Sequence, residues 1–197
     1  MVRIGVLALQ GDFEAHRKML AADASEVVEV RRVADLAGLA GLVMPGGEST
    51  TLLNLMADEP WGPALQRMKD DGGALMGTCA GAILLAKEVV NPAQPSLGLL
   101  DATIERNAFG RQVDSFETTI DAQKMGGTIE AVFIRAPRFL TLGPGVETLA
   151  TYRGEPVCVQ EGRVLAMTFH PELTRDTTLH QYFVSLARSA ALTGRLS

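Results

Sequence analysis

Three features of the 197-residue sequence predict an α/β fold, a three-layer arrangement in which a mixed, mostly parallel sheet carries helices on both faces. The first half alternates short apolar runs with helical patterns, the rhythm of βαβ units. Those runs lack polar alternation, as strands buried on both faces do. The second half turns to closely spaced strand signals with short connections, which predicts antiparallel additions to the same sheet.

Residues 2–9 are a continuous apolar run and read as the first strand. A helical pattern follows over 12–22, then a β-branched strand over 26–30. A third strand at 42–44 ends in Pro45-Gly46-Gly47, and Ser49 or Thr50 is placed to cap the helix after it. Another helix is expected over 63–71, with Pro63 in its first turn. Residues 74–77 lead through Cys79 into an Ala- and Leu-rich helix over 80–87. The loop 91–97, with Pro92 and Pro95, breaks the rhythm. Strands are expected at 103–106, 116–121, 129–135, 146–152, 157–160 and 164–169. An amphipathic helix runs from 177 to about 190, with Leu179, Tyr182, Phe183 and Leu186 at helical spacing. No internal repeat interrupts the pattern, and the length suits one well-cored domain over 1–197.

Composition narrows the classes of function. An apolar content of 47% against 21% charged residues describes a globular chain rather than a disordered one. The net charge is −5 and no basic run exceeds the pair Arg31-Arg32, so neither nucleic acid nor an anionic membrane surface is expected as a partner. The longest apolar stretch, residues 36–44, is interrupted by Gly38 and Gly41 and falls well short of the ~20 residues of a membrane span. The N-terminus enters a strand directly, without a signal-peptide pattern. Cys79 and Cys158 are therefore expected as reduced thiols in a cytoplasmic protein. No CxxC or HxxxH spacing is present, and no metal site is expected.

Gly77-Thr78-Cys79-Ala80-Gly81 lies between a buried strand and a helix and matches a nucleophile elbow. The flanking glycines leave room for a packed helix, while the sharp turn exposes the central side chain. The helix dipole behind Cys79 favours anionic sulfur. Cys158, in the apolar strand, has no such punctuation and reads as a core thiol. His170-Pro171-Glu172 follows the strand 164–169, and Pro171 biases His170 toward an extended conformation. Residues two apart in an extended chain share a side, so Glu172 is expected to reach the second ring nitrogen of His170 and fix its tautomer. His16 and His180, on the first and last helices, are expected as satisfied surface or partner-facing side chains. Pro45-Gly46-Gly47-Glu48-Ser49 is suited to aim backbone N–H groups at a developing oxyanion. Gln10-Gly11 follows the first strand at the same sheet edge, where Gln10 is expected to bridge a partner to the Gly46-Gly47 loop.

These motifs resemble class I glutamine amidotransferases, of the flavodoxin-like three-layer fold. Within that class the chain is similar to the glutaminase subunits of pyridoxal 5′-phosphate synthase. The similarity rests on Ala8-Leu9-Gln10-Gly11, Pro45-Gly46-Gly47-Glu48-Ser49-Thr50-Thr51, the stretch from Arg106 to Gln112, Phe133-Ile134-Arg135-Ala136-Pro137 and Phe169-His170-Pro171-Glu172-Leu173-Thr174.

The resemblance implies that Cys79, His170 and Glu172 hydrolyse L-glutamine to glutamate and ammonia without a cofactor. It implies an oxyanion held by backbone N–H groups at Gly47 and Ala80, and glutamine contacts from Gly47, Glu48, Ser49, Arg106, Ile134 and Arg135. It also implies a synthase (lyase) partner that consumes the ammonia with a pentose phosphate and a triose phosphate. Arg111 and Arg138 are expected at the surface or an interface. The chain departs from the family pattern at Ala15-His16, where the family tends to carry Glu-His; Glu14 lies one position earlier. Two other readings are a glutaminase subunit of another pathway, such as histidine biosynthesis, and a redox-sensing or non-catalytic protein of related fold. The Arg106–Gln112 stretch argues against the first, and an orienting Glu172 behind His170 against the second.

Overall fold

The computed structural model describes residues 2–24, 26–106, 108 and 115–192. The expected βαβ rhythm is present. Strand β1 (Arg3–Leu7) leads to helix α1 (Phe13–Leu20) and strand β2 (Glu26–Val30). Strand β3 (Gly41–Met44) precedes helices α2 (Ser49–Met56) and α3 (Trp61–Asp70). Strand β4 (Ala74–Thr78) turns through Cys79 into the six-residue helix α4 (Ala80–Leu85), which is buried along its whole length. Beyond it come strands β5 (Ala86–Val90), β6 (Leu100–Glu105), β7 (Phe116–Ala122), β8 (Gly127–Phe133), β9 (Arg138–Leu142), β10 (Glu147–Tyr152), β11 (Glu155–Glu161) and β12 (Val164–Met167), and the long helix α5 (Thr178–Leu192).

Nine of the described strands form one sheet in the order β2-β1-β3-β4-β12-β11-β10-β7-β8. The first five are parallel and the rest are joined antiparallel. Both faces of its centre are apolar. Ile4, Val6, Val43, Met76 and Leu165 point toward α1 and α5, where Leu20, Leu179 and Phe183 meet them. Their neighbours Leu7, Leu42, Met44, Leu75 and Val164 point the other way, toward Leu52 and Met56 of α2 and Leu65 and Met68 of α3. Fully burying a side chain such as Phe183 stabilises the fold by roughly 1.5–3 kcal/mol, so each face supplies a substantial core. The three-layer expectation is met.

Four local expectations are corrected. The helix read over 80–87 stops at Leu85, because β5 pairs with β6 and this tertiary contact overrides the helical propensity of Ala86 and Lys87. The strand read at 103–106 belongs to a separate three-stranded sheet, β5-β6-β9, and not to the main one. β9 had no sequence signal, since only Phe139 of its five residues is buried. Residues 164–169 were expected among the antiparallel additions. Instead β12 ends at Met167 and lies parallel to β4, because the hairpin from β11 inserts it into the gap beside β4. Finally, neither Ser49 nor Thr50 caps α2: Glu48 does, its Oε1 accepting from the Thr50 backbone N–H at 3.4 Å and from the Thr50 hydroxyl at 3.0 Å.

The glycines around Cys79 are packing requirements. A Cβ on Gly81 would stand 1.9 Å from the Met44 carbonyl oxygen, and one on Gly77 2.6 Å from the Gly81 backbone. At Gly62, inside α3, the nearest atom would be 4.0 Å away. Gly81→Ala is therefore expected to lower the unfolding free energy by at least ~1–3 kcal/mol. Gly62→Ala should leave it unchanged or raise it by up to ~1 kcal/mol. Urea denaturation of the two variants checks the contrast.

Candidate active site

β4 and β12 lie side by side in parallel register, Thr78 opposite Met167, so the segments leaving their C-terminal ends emerge together. Cys79 follows Thr78 and His170 follows Met167 by three residues. The Cys79 N–H donates to the Met167 carbonyl at 2.9 Å, which ties the elbow to the neighbouring strand. Cys79 adopts φ 47° and ψ −103°, a conformation that non-glycine residues avoid and that marks a strained turn. The expected elbow geometry is present. The sulfur is nearly buried and also lies 4.0 Å from the Ile134 carbonyl oxygen, at the long limit for a contact of this kind.

His170 Nδ1 lies 2.7 Å from Glu172 Oε1, both side chains being almost wholly buried. The route to this contact differs from the extended one expected. His170 is followed by a single 3₁₀ turn, Pro171–Leu173, and Glu172 reaches back from within that turn. The His170 N–H donates to the Val132 carbonyl of β8 at 2.8 Å, holding the backbone while the carboxylate holds the ring. Burial opposes charge on His170, yet the Cys79 sulfur and the Glu172 carboxylate outweigh it and raise the imidazole to about 10. With Nδ1 on Glu172, it is Nε2 that is free for chemistry at the sulfur. Cys158 behaves as a core thiol: it is fully buried in β11, and burial pushes it up to about 12.

A cleft of about 300 Å³ opens over this pair. It is lined by Gln10, Gly47, Glu48, Ser49, Cys79, Arg106, Ile134, Arg135 and His170, all expected from the sequence, and by Asp12 and Ile83, which were not. Glu172 stands behind His170. Ala80 is the buried first residue of α4, so its backbone N–H, like the others of the first turn, has no acceptor within the helix. Arg106, with its side chain 13% exposed, sits 3.3 Å from Glu48 Oε1 across the cleft. Arg135 holds φ 43° directly after Ile134. The Ser49 hydroxyl donates to Gln94 Oε1 at 2.9 Å, a partner with no signal in the sequence. Gln10 Oε1 accepts from the Glu48 N–H at 2.9 Å, and its amide fills the space where a side chain on Gly47 would be. A side chain on Gly46 would strike the His170 ring. Arg138 is half-buried and pairs with Glu155 at 3.0 Å. Asn107 and residues 109–114, with Arg111 and most of the Arg106–Gln112 stretch, lie outside the described residues.

Asp12, His170 and Glu172 bring three donor atoms within 4.8 Å of one another, the one group of metal-ligand character among the described residues. His170 Nδ1 and Glu172 Oε1 already engage each other at 2.7 Å, and Asp12 Oδ2 lies 3.9 Å from the same nitrogen.

The sequence misjudged two histidines. His16 and His180 are fully buried, not at the surface, and they touch each other at 3.0 Å between Nδ1 and Nε2. His16 Nε2 lies 3.1 Å from Thr78 Oγ1 and 3.3 Å from Glu172 Oε2. A signal existed. His16 pairs with Leu20 at i,i+4 as the buried stripe of α1, and His180 shares the inner face of α5 with Phe183, Val184 and Ala187. Of the apolar positions expected there, Leu179 and Phe183 are buried, while Tyr182 and Leu186 are only half-buried.

If the two acceptors beside it sustain the His170 charge, removing one must lower its titration. In Glu172→Gln the ring loses an anionic neighbour, so the imidazolium should deprotonate at a lower pH than in the parent chain. Ring-nitrogen NMR shifts of His170 followed against pH measure this; an unmoved or higher midpoint contradicts it.

Comparison with known proteins agrees with this geometry. Residues 6–189 match the model of the SNO glutamine amidotransferase family. The chain is 52% identical to the pyridoxal 5′-phosphate synthase subunit PdxT of Deinococcus radiodurans, over 95% of this chain and 98% of that protein. It is 53% identical to a PdxT of Thermus thermophilus, over 93% and 97% respectively. A crystal structure of a glutamine amidotransferase, 51% identical, superposes with a TM-score of 0.88 over 94% of this chain and 98% of that one. The elbow, the His-Pro-Glu turn and these similarities agree: the chain belongs to the SNO glutamine amidotransferase family.

Proposed function

We propose that the cleft hydrolyses the side-chain amide of L-glutamine and passes the ammonia to a pyridoxal 5′-phosphate synthase partner. The observation that carries the chemistry is the buried line of Cys79, His170 and Glu172 at the floor of a polar cleft. The Cys79 thiolate attacks the carboxamide carbon, and the resulting oxyanion is received by backbone N–H groups at Gly47 and Ala80. As the C–N bond breaks, imidazolium His170 gives its Nε2 proton to the leaving nitrogen, and ammonia departs from a glutamyl thioester. Neutral His170 then takes a proton from water, the hydroxide adds to the thioester carbon, and glutamate leaves as the thiolate re-forms. Glu172 keeps the Nδ1 proton in place through both halves and is not itself consumed.

Glutamine is a zwitterion at its far end. Arg106 and Arg135 suit its α-carboxylate, and Glu48, now paired with Arg106, suits its α-ammonium. Gly47, Ser49 and Ile134 complete the wall around the carboxamide. The names of the PdxT relatives support the synthase partner over a subunit of another pathway. Gln10 is our candidate link to it, because its side chain already holds the loop that carries the oxyanion donor. Two free cysteines are consistent with a reducing, cytoplasmic setting, and no described helix is long and apolar enough to cross a membrane.

Glutamate release by the purified chain, with and without the synthase subunit, tests the reading. Cys79→Ala should abolish release and Cys158→Ala should retain most of it, and a glutamine-like electrophile should label Cys79 alone. Labelling of Cys158, or activity without Cys79, refutes the assignment. Arg106→Ala should chiefly raise KM, the mark of an interaction made equally with substrate and transition state. A fall in kcat alone, with calorimetric glutamine affinity intact, removes Arg106 from the substrate site.

A further inference from the structure

Glu172 has two carboxylate oxygens, and the proposed mechanism uses one. Oε1 is on His170. Oε2 is buried and forms no hydrogen bond of good geometry among the described residues, its close polar neighbour being His16 Nε2 at 3.3 Å. A buried carboxylate oxygen without a donor is costly, so what stands against it decides whether the carboxylate stays put.

His16 comes from α1 and reaches three elements at once. Nε2 faces Glu172 Oε2 and, at 3.1 Å, the hydroxyl of Thr78, the residue before the nucleophile. Nδ1 faces His180 Nε2 at 3.0 Å from α5. Burial, then the proximity of His180 and His170, pushes His16 well below its usual value. Burial takes His180 down to about 4 against the pull of Asp176. Both rings are therefore neutral near pH 7, and one proton lies between Nδ1 and Nε2. If that proton sat on His16, the bare Nε2 lone pair would face a carboxylate at 3.3 Å. If it sits on His180, His16 carries its own proton on Nε2, aimed at Thr78 and Glu172. Electrostatics selects the second arrangement. It leaves His180 Nδ1 as an acceptor, and that atom has no partner among the described residues.

We propose that His16 is a positioning residue for glutamine hydrolysis: held in its Nε2–H tautomer by His180, it stands against the outer oxygen of Glu172 and keeps the inner oxygen on His170. A neutral donor suits this task. A cation there would compete with His170 for the carboxylate, and an apolar group would leave Oε2 bare. The proposal rests on the triad reading above.

The test compares His16→Leu, which removes the donor while filling space, with His16→Gln, whose terminal amide can set an N–H near the Nε2 position. Both are made in the full chain and assayed with the synthase subunit present. His16→Leu should lower kcat by roughly 10- to 100-fold, the cost of leaving a buried carboxylate oxygen with no polar group against it, with KM for glutamine unchanged. His16→Gln should recover most of the loss. The second readout is the downfield proton resonance of His170 Nδ1–H, taken without substrate. It should move or broaden in His16→Leu and hold its position in His16→Gln. Wild-type kcat in His16→Leu overturns the proposal. So does an equal loss in both variants with the resonance unmoved, which marks a purely structural role. If His16→Leu does not fold, His16→Asn replaces it, because its shorter amide reaches toward His180 but not Glu172; parent-like kcat there is equally fatal. Failure of the parent chain to release glutamate would instead count against the triad reading, since the resonance comparison needs no turnover.

Discussion

The parallel pairing of β12 with β4 is the constraint on which the site depends, because it sets two segments from distant parts of the chain to leave one sheet edge side by side. Everything nearer the chemistry is adjusted to that pairing. The Cys79 amide is bonded to β12, the His170 amide to β8, and the imidazole to a carboxylate within its own turn. The unusual backbone of Cys79 persists because Gly77 and Gly81 let α4 press against β4 and β3 with no side chain between. A shift of one residue in the β4–β12 register would carry His170 away from the sulfur by more than a hydrogen-bond length.

Around this floor the cleft is closed by backbone packed on backbone. A side chain on Gly11 would lie 1.8 Å from the Gly46 carbonyl oxygen, Gly46 yields its own side-chain space to the His170 ring, and Gly47 yields it to Gln10. The loop after β1, the loop after β3 and the imidazole are thus in direct contact. Movement of any one of the three is felt by the other two. Through this contact a polar residue after the first strand, Gln10, is tied to the Gly46-Gly47 loop.

Much of this was legible in the sequence, for identifiable reasons. β1, β3 and β4 are buried on both faces and announce themselves as unbroken apolar runs. The elbow and the His-Pro-Glu turn are short motifs whose residue types serve the chemistry and the backbone together. What escaped was tertiary in origin. β5 and β9 exist because β6 lies between them, and neither has the burial pattern of an independent strand. The parallel direction of β12 depends on a gap in the sheet that local sequence does not describe. His16 and His180 were misjudged because polarity was read before helical phase; their spacing to Leu20 and to Phe183 places both on inner faces. Glu48 was read as a ligand-facing side chain, and its part in capping α2 left no mark in the local sequence.

The distance along the chain between β4 and β12 has a consequence for biogenesis. A nascent segment that ends before β7 contains Cys79 but neither β12, the strand that braces it, nor His170. The pairing is of high contact order and closes late, after β7, β8, β10 and β11 have been made. Sulfur and imidazole therefore meet only after β12 and the turn that follows it have been synthesised.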